Sequence, residues 1–86
     1  MPVRTKQLVK EKRKIILDIL FEDIIPDSSP KMYWSMEMLT AQVRRHNIDE
    51  KIRITKYDIK RVINSVSNNN KINLHIINNN LYATFS

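Results

Sequence analysis

The chain has 86 residues, 42% hydrophobic and 28% charged, which is room for one small globular domain with a modest core. The lack of cysteine excludes disulfides, thiolate chemistry and cysteine-ligated zinc, and the lack of glycine excludes the P-loop and dinucleotide-binding turns, whose backbone must approach phosphate closely. Fifteen basic against nine acidic side chains leave a formal charge of +6, a balance that points to a polyanion: DNA, RNA, an anionic membrane surface or an acidic protein.

The opening MPVRTKQLVKEKRK carries charge with no apolar stretch behind it, so no signal peptide is expected. No apolar run reaches the roughly 20 residues of a membrane span, and an intracellular location, cytoplasm or nucleus, is expected. From Thr5 to about Ile25, a helical period places Leu8, Val9, Ile15, Ile16, Ile19 and Leu20 on one face. Lys12 falls inside that stripe, either where the helix leaves the core or with its stem laid on apolar surface. Lys6, Lys10, Lys12, Arg13 and Lys14 form a basic run that reads as a solvated helix end or as a phosphate-contacting arm. The core's need for this helix argues against a membrane-surface role. Asp18, Glu22 and Asp23 read as a solvated acidic face rather than a metal or nuclease site. Pro26 disfavours helical dihedrals at Ile25 and ends the helix.

PDSSPKM at 26–32 is a loop, and Met32-Tyr33-Trp34 a candidate short extended piece. Tyr33 and Trp34 are expected to pack between the first helix and the C-terminal hairpin with their polar tips in water. Met32, Met36 and Met38 are expected to fill the core. Ser35 is a plausible N-cap for a second helix over 36–46, with Glu37 favourable in its first turn. Met36, Leu39, Thr40 and Val43 share a face, and Arg44, Arg45 and His46 suit the last turn. Residues 47–54 connect, with an extended stretch at Ile52–Ile54.

Thr55-Lys-Tyr-Asp58 is a capping box opening a third helix over 56–67. Its core stripe is Ile59, Val62, Ile63 and Val66; Tyr57, Lys60, Arg61, Asn64 and Asn68 lie opposite. Asn68, Asn69 and Asn70 offer the left-handed C-cap that glycine usually supplies. Over 71–85 the period changes from helical to alternating, which predicts a hairpin. A two-residue loop at Asn78-Asn79 pairs Ile76 with Leu81, Leu74 with Ala83 and Ile72 with Phe85, keeping one face apolar, and two asparagines suit a type I′ turn.

The order helix, extended piece, helix, helix, hairpin resembles the winged-helix superfamily across nearly the whole chain. The pattern Ile59…Val62-Ile63…Val66…Ile72…Leu74…Leu81-Tyr82 is similar to the third helix and wing of such domains. The long connector at 47–54 departs from the short turn of a plain helix-turn-helix. In this it is closer to forkhead-like winged helices or to the winged helix that closes cullin proteins, which IRITKYDIKRVINSV resembles. The cullin version carries a modifier-accepting lysine; at the corresponding place in helix one, IILDILFEDI offers none, so that role is not carried over. The resemblance implies an α+β fold, one domain over 1–86, with the third helix in a DNA major groove and the wing on an adjacent groove or backbone.

The residues themselves point the same way. Arginine forks onto guanine, asparagine onto adenine and lysine onto guanine or phosphate, so Tyr57, Lys60, Arg61 and Asn64 are the candidate groove contacts, on a face with no compensating acid. Lys56 would meet phosphate beside free backbone N–H groups, and Arg44, Arg45 and Arg53 would clamp the backbone unless the first two serve only the helix dipole. Lys71, Asn79 and Asn80 are candidates in the wing, although Asn79 also suits the turn for its backbone alone. His46 and His75 read as exposed, and no metal or cofactor is expected. The expected function is non-catalytic binding of double-stranded DNA, with transcriptional regulation as the commonest use of such a part. The alternative is a protein-interaction module, which should show an apolar patch rimmed by charge. Leu8, Val9 and Phe21 are left over and could serve a homodimer.

Overall fold

The computed structural model describes residues 2–49 and 51–85, with side chains from Gln7 onward; Lys6, named above in the basic run, has its side chain outside the described set. The architecture is α+β: three helices and a three-stranded antiparallel sheet.

Helix α1 runs from Pro2 to Ile19 and passes into a π-helical turn, Leu20–Ile24, where the Ile25 N–H donates to the Leu20 carbonyl at 2.8 Å. The helix therefore begins three residues before the expected Thr5, and it stops ahead of Pro26 as the proline requires. The wider turn brings Ile24 as well as Leu20 into the core. Strand β1 is only Trp34–Ser35. Ser35 also caps α2, Met36–His46, its hydroxyl oxygen accepting from the Met38 N–H at 3.1 Å. Met36, Leu39, Thr40 and Val43 are the buried face, and the Thr40 hydroxyl is satisfied by donating to the Met36 carbonyl at 2.7 Å.

The connector to α3 contains no strand among its described residues, so Ile52–Ile54 pairs with no other strand. Side chains order it instead. The Asn47 amide donates to the carbonyls of Asp49 (3.1 Å) and Ile52 (3.0 Å), and the Arg44 Nε donates to that of Ile54 (2.6 Å). These bonds hold Ile54 in the core, 1% exposed.

Helix α3 spans Lys56–Ser65, behind the complete Thr55–Asp58 capping box. It ends two residues short of the expected 67, at Val66 (φ −114°). The positive φ angles among the described residues are at Asn78 (52°) and Asn79 (66°). Asn68, Asn69 and Asn70 therefore do not form a left-handed cap; the chain leaves α3 through successive turns closed by Ser67 N–H to Asn64 O, Asn69 N–H to Val66 O and Ile72 N–H to Asn69 O.

Strands β2 (Ile72–Ile77) and β3 (Asn80–Phe85) form the hairpin, and the sheet order is β1-β3-β2. The register is the expected one: Ile72 faces Phe85, Leu74 faces Ala83 and Ile76 faces Leu81. Only the base of the hairpin covers the core. Ile72, Ala83 and Phe85 are buried with Ile16, Leu39, Ile59 and Ile63, whereas Ile76 is 77% exposed because the hairpin extends past the helices.

The aromatic pair before α2 divides. Trp34 packs against Phe85, ring centroids 6.3 Å apart, and its Nε1 donates to the Ser28 hydroxyl at 2.8 Å, so its tip is not in water as expected. Tyr33 turns away from α1 onto the outer sheet face, 5.0 Å from the His75 ring and 6.4 Å from Tyr82. His75 is half-buried there, its Nε2 within 2.9 Å of the Thr84 hydroxyl, rather than simply exposed. Of the methionines expected in the core, Met36 is buried, Met32 half-buried and Met38 exposed.

Candidate nucleic-acid interface

The side chains of α3 divide by direction. Ile59, Val62 and Ile63 point into the core, so at about 100° per residue the opposite direction falls to Tyr57 and Asn64, flanked by Lys60 on one side and Arg61 on the other. All four are exposed. The helix contains one acid, Asp58, which is 6% exposed and turned inward, so the outward face is polar and basic.

The Lys60 flank looks onto the hairpin. Lys56 and Lys60, with Asn79, Asn80 and Tyr82 from the hairpin and Ser35 and Glu37 from the start of α2, line a groove of about 250 Å³. Four of the residues singled out from the sequence, Lys56, Lys60, Asn79 and Asn80, thus come to one place although 19 positions separate Lys60 from Asn79 in the chain. Tyr82 and Glu37 join them without having been foreseen as contacts. Glu37 brings an acid to the groove: its Oε1 lies 3.3 Å from the Lys56 Nζ, both side chains being partly or largely in water. Its carboxyl is held below the ordinary range, first by a backbone N–H at the start of α2 and then by Lys56. Only the α2–α3 crossing brings these two together, so no local signal could have paired them.

The other flank looks onto α1. Arg61 Nη2 stands 3.6 Å from Asp58 Oδ1, and the Arg13 guanidinium donates to the Ser65 hydroxyl. Lys12 neither leaves the core surface nor ends in water; its Nζ meets Asp58 Oδ2 at 3.2 Å. Burial pushes the Asp58 carboxyl up, but the Thr55 backbone N–H, the Thr55 hydroxyl and Lys12 together hold it below the ordinary range.

The remaining candidates do not converge on α3. Arg44 donates through its Nε to the Ile54 carbonyl and so also fixes the connector. Arg53 borders a separate shallow groove with Arg44, Asn47 and Asp49, and Arg45 is exposed in the last turn of α2. Lys71 precedes β2 while Asn79 sits at the hairpin tip; six strand residues at about 3.3 Å each put roughly 20 Å between them, so the two cannot act at one point.

Comparison with family models, with curated proteins and with solved structures finds no match for this chain.

Chemically, the α3–hairpin groove offers two ammonium groups and two amide side chains beside the N-terminal turn of α3, whose first N–H groups favour negative charge. Tyr57 and Asn64 stand at the crest above it, positioned to reach a surface that lies across α3.

Proposed function

We propose that this chain is a winged-helix module that binds double-stranded DNA without catalysis, inside the cell, with transcriptional regulation as its use. The observation that carries this reading is the crest of α3. Tyr57, Lys60, Arg61 and Asn64 stand outward together, with Asp58, the one acid of the helix, turned inward and paired to Arg61, and the hairpin tip flanks them across a groove holding Lys56, Lys60 and Asn79 beside Glu37. In this reading Arg61 and Asn64 meet base edges, Lys60 meets guanine or phosphate, and Lys56 and Asn79 hold the sugar-phosphate backbone. The basic side chains of α1, Lys10, Arg13 and Lys14, supply long-range attraction. The step from module to regulation is by analogy of architecture.

The test is a titration into labelled random-sequence duplex at low and high salt, with wild type and a Lys60→Ala/Arg61→Ala double variant. The expected result is binding that weakens steeply with salt and a salt slope reduced by about two in the double variant. No binding at low salt would overturn the reading.

A further inference from the structure

The stripe of α1 that builds the core does not stop where the core stops. Ile16 is its first buried residue among those described, yet Val9 and Leu8 continue the stripe about two turns further and remain 36% and 42% exposed. Beside them α1 and α3 leave a groove of about 220 Å³, with Val9, Ile16 and Val62 as its aliphatic floor. Arg13 and Arg61 stand on opposite walls, and Lys12 and Asp58 close one end. Asp58 is the one acid of that lining; its oxygens already accept from Thr55 and Lys12, and Arg61 Nη2 stands 3.6 Å from its Oδ1, so of the two rim arginines Arg61 is partly compensated.

We propose that this α1–α3 groove is a docking surface for an acidic amphipathic segment of a partner protein, one that lays apolar side chains on the exposed Val9, above the covered Ile16 and Val62, and carboxylates against Arg13 and Arg61. Charge selects this occupant. The lining holds three cations against one carboxylate already in use, so a second acid-bearing chain gains from both rim arginines. A second copy of this chain packed symmetrically on this groove would instead bring Lys10, Arg13 and Lys14 against the same cations. Duplex DNA has no apolar ridge to cover the aliphatic floor. The surface lies on the Arg61 flank of α3, away from the Lys56–Lys60–Asn79 groove; Arg61 is the one side chain it shares with the DNA reading, so a partner seated here competes with duplex for that group alone.

The probe is a synthetic helical peptide with leucines at i, i+3, i+4 and i+7 and glutamates elsewhere, beside a twin with lysines in place of the glutamates. Each is titrated against the full chain by fluorescence anisotropy. Wild type is expected to bind the glutamate peptide at least about ten-fold tighter than the lysine twin. Val9→Asp and Arg13→Glu, both at exposed positions, are each expected to weaken it by about ten-fold or more, with circular dichroism confirming an unchanged fold. Leu8→Glu gives a third variant that leaves the groove floor intact. Equal binding of both peptides, binding of neither, or variants that bind as wild type would overturn the proposal. So would sedimentation showing a wild-type dimer that Val9→Asp abolishes, because the groove would then belong to a second copy.

Discussion

Lys12 of α1 reaches Asp58 of α3 at 3.2 Å, across 46 positions of sequence, on a carboxylate that also completes the α3 capping box. One buried acid therefore fixes both the start of α3 and its contact with α1, and the crest of α3 is oriented by the same group.

Asp58→Asn keeps the shape and removes the charge. It is expected to lower stability by about 1–2 kcal/mol at neutral pH, the scale of a lost cap. The folded-state carboxyl is depressed, so its contribution is complete above the unfolded value of about 3.9 and is lost as pH falls through the lower folded one. The gap between wild type and Asp58→Asn should thus be flat from pH 7 to about pH 4.5 and shrink below about pH 4. Urea midpoints across that range check it; a gap that widens in acid would contradict the assignment.

Glu37 faces Lys56 inside the α3–hairpin groove and competes with any phosphate for it. Under the DNA reading, Glu37→Gln is expected to tighten duplex binding about two- to five-fold at low salt, uniformly across sequences, and to steepen the salt dependence. If wild type binds duplex and Glu37→Gln binds it equally, the groove is not where the backbone lies.

The hairpin turn depends on two left-handed residues, φ 52° at Asn78 and 66° at Asn79. Asn79→Gly is expected to be neutral or slightly stabilising, whereas Asn78→Val is expected to cost about 1–2 kcal/mol because a β-branched side chain opposes that backbone. Chemical denaturation of both variants distinguishes a turn chosen for conformation from one chosen for contacts. Duplex binding retained in Asn79→Gly would remove the Asn79 side chain from the interface.

Ile63 is fully buried where α3 meets α1, α2 and the base of the hairpin. Ile63→Ala is expected to cost about 2–5 kcal/mol through lost transfer energy and the cavity left behind. For a chain this small, that approaches the whole of its stability. A loss of the cooperative thermal transition, or a midpoint lowered by more than about 10 °C, is the expected reading.

What the sequence determined by itself was local. Ser35 and the Thr55–Asp58 box were legible as caps because a cap is made within three residues of itself. The Asn78-Asn79 turn and the whole hairpin register followed from alternation and from asparagine's tolerance of positive φ. The outward set Tyr57, Lys60, Arg61 and Asn64 followed from helical period alone. The exit from α3 was misread because asparagines at 68–70 allow a left-handed cap without requiring one, and turns of ordinary handedness served. What only the tertiary structure decided depended on how helices cross and how far the hairpin reaches. That placed Glu37 on Lys56, Lys12 on Asp58, Tyr33 on His75, and left Ile76, Leu8 and Val9 uncovered. Apolar periodicity states which side chains can be buried; the length and angle of the neighbouring element state which are, and neither is written within a few residues of the side chain concerned.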